Sequence, residues 1–97
     1  MPTYVVLSRY TQEGVNAMKA SLERIRANIE RGKAAGIDIK AHYLTLGEYD
    51  AVTIIEAPDD ATMTAAVIGL GQQGFVRTTT MRAFGLDELP GILAKLP

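Results

Sequence analysis

Leu46-Gly47-Glu48-Tyr49-Asp50 lies at mid-sequence between two apolar runs, and its reading decides the fold. Gly47 permits a positive φ, so the chain can reverse there. On its N-terminal side, Ile37-Asp38-Ile39-Lys40-Ala41-His42-Tyr43-Leu44-Thr45-Leu46 alternates apolar and polar residues in its first half, the period of a strand. Strict alternation puts Ile37, Ile39, Ala41 and Tyr43 on one face, and Asp38, Lys40 and His42 on the other. On its C-terminal side, Ala51-Val52-Thr53-Ile54-Ile55-Glu56-Ala57 reads as a second strand. The pair is an antiparallel hairpin closed by a loop of roughly three to five residues.

Toward the N-terminus, Tyr4-Val5-Val6-Leu7-Ser8-Arg9-Tyr10 begins as a continuous apolar run, as expected of a central strand. Thr11 is placed to cap the helix that follows. Val15, Met18, Leu22, Ile25 and Ile29 recur at spacings of three and four and predict one buried helical stripe, with Lys19, Glu23, Arg24, Asn28 and Arg31 on the solvated side. Gly32 or Gly36 ends that helix. Arg24 to Lys33 aligns with the helix dipole, the plainer reading of its charge, with an anion site as the alternative. Toward the C-terminus, Pro58-Asp59-Asp60 opens a second helix, with Asp59 or Asp60 as its cap. Met63, Ala66, Val67 and Leu70 form its inward face, and Gly71 and Gly74 mark its end. Phe75 to Phe84, with three consecutive threonines, predicts a last strand. After Gly85, Asp87 is placed to cap a short helix carrying Leu89, Ile92, Leu93 and Leu96. This apolar tail is expected to pack against the domain or a second copy.

The order βαββαβ is that of a ferredoxin-like α+β sandwich in a single domain spanning residues 1–97. Two helices cover one sheet face. The other face, apolar at many alternate positions, is left bare unless a second chain packs on it, so a homodimer or higher homo-oligomer is expected. With 47% hydrophobic and 22% charged residues, the chain has the composition of a folded soluble domain. Ten Lys and Arg against eleven Asp and Glu leave no basic excess for nucleic acid or a membrane surface. No apolar run approaches the length of a membrane span. The opening Met1-Pro2-Thr3-Tyr4 leads directly into strand residues without the pattern of a secretory leader. The absence of cysteine excludes thiolate chemistry and suits a reducing, cytoplasmic setting. One histidine leaves no multi-histidine metal site within a chain, and no motif asks for a cofactor. Gly69-x-Gly71-x-x-Gly74 matches a dinucleotide fingerprint in letters only, because it ends a helix and precedes a strand.

Leu46-Gly47-Glu48-Tyr49-Asp50, then Glu56-Ala57-Pro58-Asp59-Asp60, then Gly74-Phe75-Val76-Arg77-Thr78-Thr79-Thr80, taken in that order, resemble the GYD-domain family. The Gly-x-Tyr-Asp signature falls on Gly47, Tyr49 and Asp50. The resemblance implies the layout of the dimeric α/β-barrel group, in which two ferredoxin-like sheets face each other around a cavity. It implies no assigned reaction.

Several residues invite a chemical reading. His42 titrates near neutrality, and with Tyr49 and Asp50 it is a candidate for proton transfer. Against this, Gly47 and Asp50 suit a turn, with Asp50 accepting backbone N–H groups and Tyr49 packing across the hairpin. Arg9, Arg77 and Arg82, with Tyr10, are candidates to line a cavity and bind a carboxylate or phosphate. Strand-end arginines that simply reach water are the plainer reading. Two functions follow. One is a homo-oligomeric module that binds a small molecule between facing sheets. The other is a cofactor-independent enzyme, an oxygenase or isomerase of the barrel kind. A pocket lined by His42, a tyrosine and an arginine would favour the enzyme.

Overall fold

The computed structural model describes residues 1–97. Strand β1 (Thr3–Tyr10) occupies an inner position in a four-stranded sheet and pairs antiparallel on both sides. Strand β3 (Ala51–Glu56) lies on one side of it and β4 (Val76–Ala83) on the other. Strand β2 (Asp38–Leu44) completes the order β2-β3-β1-β4, and every pairing is antiparallel. The helices are α1 (Gln12–Asn16), α2 (Ser21–Ala34), α3 (Asp60–Gln72) and α4 (Leu89–Leu93). This is the ferredoxin-like α+β arrangement expected from the element order.

Alternation along β1 and β3 sorts the two sheet faces. Tyr4, Val6 and Ser8 are buried, as are Ala51, Thr53 and Ile55 opposite them. These residues face the helices. The core is small: Tyr4, Val6, Ile37, Ile55, Ala57 and Met63 form one buried cluster, with Ile39 and Val67 packed against it. The opposite face presents Val5, Leu7, Val52 and Ile54, none of them fully buried, with the more exposed Tyr43 and Met81 beside them.

Asp59 caps α3, its carboxylate accepting the Thr62 N–H at 2.7 Å. That bond favours the ionised carboxylate and holds Asp59 below its ordinary value. The predicted ends at Gly36 and Gly74 both adopt positive φ.

Three expectations need correction. The first helix is not continuous. Thr11 caps α1 as expected, but a 3₁₀ turn (Met18–Ala20) separates α1 from α2. Three residues at 3.0 per turn instead of 3.6 rotate the following face by about 60°. Leu22 is therefore exposed, while Arg24 and Asn28, expected in solvent, turn partly inward; Val15, on α1, is exposed as well. The start of α1 is fixed from outside: the Thr11 N–H donates to Phe75 O at 3.0 Å and the Thr11 hydroxyl to Gly74 O at 2.6 Å. Gly14 lies so close that an added Cβ would sit 2.0 Å from Phe75 O.

Strict alternation in β2 also fails. The register shifts between Ile39 and Ala41, so Lys40 is the extra residue of a β-bulge. Past the bulge every side chain changes face. His42 pairs with Thr53 on the helix side, while Ala41 and Tyr43 join Ile54 and Val52 on the open side. The third correction concerns Asp87, which caps nothing. Glu88 precedes α4 without a side-chain cap, and its carboxylate accepts the Gly85 N–H at 2.9 Å. Of the two partners expected for the apolar tail, its own domain leaves it uncovered. Phe84, Leu86, Leu93 and Leu96 are all more than half exposed. No helix is long and apolar enough to cross a membrane.

Candidate functional site

The corner that decides the fold is a clamp on the end of β1. Gly47 holds φ at 112°, and the Thr45 N–H donates to Asp50 O at 2.9 Å across the loop. The Thr45 hydroxyl donates to Tyr49 O at 2.5 Å. Asp50 then reaches β1 twice. Its N–H donates to Ser8 O at 2.8 Å, and its carboxylate accepts the Tyr10 N–H at 2.8 Å. The turn role expected of Asp50 is thus filled by a residue 40 positions away instead of a neighbour. Arg9 closes the clamp from above. Its guanidinium is 2.6 Å from the Glu48 carboxylate and 4.7 Å from the centre of the Tyr49 ring. Both members of that ion pair are largely exposed, so the pair itself contributes at most about 1 kcal/mol.

The candidate residues divide among three places. Arg9, Tyr49 and Asp50 meet at the corner. Arg77 faces Arg9 in the β1–β4 register, on the open side of the sheet. Arg82 lies on the helix side, opposite Tyr4. Its guanidinium donates to Thr3 O and Ala83 O, pairs with Glu88 at 3.7 Å and stacks on Phe84 at 4.3 Å. Beside it the Tyr4 hydroxyl donates a short hydrogen bond to the Asp60 carboxylate, which holds the phenol above its ordinary value. Tyr4, Asp60, Arg82 and Thr80 border a hollow of about 220 Å³, and the Thr80 hydroxyl is buried without a hydrogen-bond partner.

His42 and Tyr10 border a larger space, a cleft of about 810 Å³ between the sheet and helices α2 and α3. The bulge at Lys40 brings His42 there. Its Nδ1 is 2.8 Å from the Thr53 hydroxyl, and desolvation holds the imidazole below its ordinary value. Tyr10 sits at the other end, its phenol raised by burial and opposed by the nearby Arg24 charge. Arg24 lies 4.1 Å from the centre of the Phe75 ring. The Gln73 amide donates to Asn28 at 2.9 Å, tying α3 to α2.

Arg24, Asn28 and Thr53 were not among the predicted site residues. Thr53 left a signal, as a polar residue at the inward parity of an otherwise apolar strand. Arg24 left none, because the 3₁₀ turn alone brings it inward. No three His, Asp or Glu side chains are grouped to hold a metal ion.

Comparison with known proteins agrees with the fold. The chain is 38% identical over 90 residues to a Thermus thermophilus protein named glutamine synthetase and cystathionine beta-lyase binding protein, covering 92% of this chain and 95% of the relative. Among solved structures it resembles an FFRP protein, with a TM-score of 0.63 and 20% identity over 87% of this chain and 100% of the other. It also resembles TTHA0845 of Thermus thermophilus, with a TM-score of 0.54 and 25% identity over 88% of this chain and 95% of the other. The signature at Gly47, Tyr49 and Asp50 lies within residues 4–93, which match the sequence profile of the GYD domain, and the chain belongs to that family.

Proposed function

We propose that this chain is a homo-oligomeric protein-binding module, dimeric through the open sheet face, that engages a metabolic enzyme. The observation that carries this reading is an excess of surface. The chain exposes 6578 Å². A folded monomer of 10.5 kDa exposes about 5,400 Å². The excess, roughly 1,100 Å², exceeds the ~800 Å² that one partner contributes to a standard interface. The radius of gyration, 14.7 Å, also exceeds the ~12.5 Å of a compact chain of this length. Apolar side chains stand on that surface: Tyr43 and Met81 beside the part-exposed Val5, Leu7, Val52 and Ile54 on the sheet, and the tail from Phe84 to Leu96. A second copy placed sheet to sheet covers the first group, as the barrel layout does.

The enzyme partner is supported by the relative's name, since that protein is described as binding glutamine synthetase and cystathionine β-lyase. A cytoplasmic setting suits the cysteine-free sequence. Light scattering at micromolar concentration is expected to give twice the 10.5 kDa chain mass. Ile54→Lys is expected to give a folded monomer. A wild-type monomer would overturn the dimer. Purified glutamine synthetase and cystathionine β-lyase, passed separately over the immobilised chain, test the partner. Retention of either supports it, and retention of neither overturns it.

A second reading, a cofactor-independent enzyme, draws on the cleft, which brings His42, Tyr10 and Arg24 to one space. The strand geometry weighs against concerted chemistry there. His42 is beside Thr53, whose β1 partner is Val6. Tyr10 lies four residues further along β1, or roughly 13 Å at the rise of a strand, beyond the reach of a shared proton.

A further inference from the structure

The cleft between the sheet and helices α2 and α3 has a size and a charge that the binding of a protein partner leaves unexplained. Its volume, about 810 Å³, falls within the roughly 300–1,000 Å³ typical of small-ligand sites. Its charge is one-sided. Arg24 and Arg31 are the charged residues on its walls, and no Asp or Glu borders it. None of the chain's five ion pairs involves either arginine.

Arg24 is the better placed of the two. Arg31 is exposed at the rim, whereas Arg24 is half-buried and braced against Phe75. One Arg24 N–H group, on Nη1, donates weakly to Ala17 O at 3.3 Å. The remaining donors of the fork are free to meet an anion. Tyr10 lines the same cleft, and its phenol O–H offers a further donor. Much of the remaining wall is apolar, with Ile25 and Ile29 from α2 and Val67 and Leu70 from α3, while His42 and Thr53 border the cleft away from Tyr10. A bare inorganic anion would leave that apolar length in contact with water. A neutral hydrocarbon would leave Arg24 unanswered.

We propose that this cleft binds an amphipathic organic anion, with its acid group at Arg24 and its apolar body between α2 and α3. The site is on the opposite side of the sheet from the proposed dimer face, so either proposal can fail without the other.

The test uses decanoate as the anionic probe, decanol as its neutral counterpart and acetate as the head group alone. Amide resonances are followed in the whole chain at constant pH. Decanoate is expected to shift Ile25, Ile29, Val67 and Leu70 saturably, and to bind more tightly than decanol or acetate. Arg24→Met is expected to weaken decanoate about tenfold, the scale of one charge-assisted pair, and to leave decanol unchanged. Should Arg24→Met fail to fold, Ala66→Trp provides the second variant. It fills the cleft from α3 while keeping Arg24, and is expected to abolish decanoate binding. Equal affinity for decanoate and decanol, acetate binding as well as decanoate, shifts confined to the open sheet face, or decanoate binding unchanged in Ala66→Trp would each overturn the proposal.

Discussion

Replacing Asp50 by alanine tests whether the family signature is a clamp or a reactive site. The substitution keeps the Asp50 N–H bond to Ser8 O and removes the carboxylate that accepts the Tyr10 N–H at 2.8 Å. Tyr10 is part-buried, so its amide loses an ionised acceptor where water does not fully replace it. Hydrogen bonds to charged groups contribute about 1.5–3 kcal/mol, and this geometry supports about 2 kcal/mol. In a domain of this length each 1 kcal/mol moves the thermal midpoint by roughly 4–8 °C. Asp50→Ala is therefore expected to melt roughly 8–16 °C below wild type. Asp50→Asn keeps an oxygen acceptor without the charge and is expected to lose about half as much, near 1 kcal/mol. Urea denaturation followed by circular dichroism reads both values. Protein concentration must be held fixed, because the proposed self-association would add its own concentration-dependent stability. The slope with urea should not change, since the same surface is exposed on unfolding. If Asp50→Ala unfolds within about 0.5 kcal/mol of wild type, the size of an ordinary surface substitution, the clamp argument fails. Loss of partner binding in such a stable variant would make Asp50 a functional residue instead.

Two further outcomes follow from particular side chains. Gly14→Ala in a helix ordinarily stabilises by roughly 0.5–1 kcal/mol, but here the new Cβ would lie 2.0 Å from Phe75 O. The same urea assay is expected to show a loss of about 1–3 kcal/mol from forced repacking, and any gain refutes the close approach. For His42, desolvation lowers the folded value below the ordinary value of 6.5. The unfolded chain then binds the proton first as pH falls. Stability should decline from about pH 6.5 and level off below the folded value. His42→Gln should flatten that stretch of the denaturation profile, and an unchanged slope would show that the imidazole is not desolvated.

Most of the fold was legible because it rests on local chemistry. The apolar run from Tyr4 in β1, the alternation of β3, the threonines of β4 and the Asp59 cap each depend on residues within one element. The failures depend on distant ones. Nothing beside Gly14 in the sequence shows that its lack of a side chain is demanded by the Phe75 carbonyl, 61 positions away. That contact pins α1, and the 3₁₀ turn after it turns Arg24 toward the cleft. Lys40 gave no sign of being a bulge. Its neighbours alternate without a break, yet one extra residue moved His42 to the opposite face of the sheet. The candidate site was correspondingly less legible than the fold. Gly47 declared its turn, while the Asp50 acceptor role and the Arg24–Phe75 stack come from pairings that no single stretch contains.

The signature also connects the two sides of the sheet. Asp50 holds the Tyr10 amide, and the Tyr10 phenol stands at the polar end of the cleft on the helix side. Arg9, one residue earlier, projects to the opposite face, where it braces on Glu48 and Tyr49. One corner therefore fixes the end of β1 from both faces, with an alternation of two residues dividing the work. A residue that sets such a strand end need not touch a ligand or partner for its loss to disturb both. Effects of Asp50 variants on binding are consequently interpretable only beside Arg24→Met and Ile54→Lys, which alter one face each and leave the corner whole.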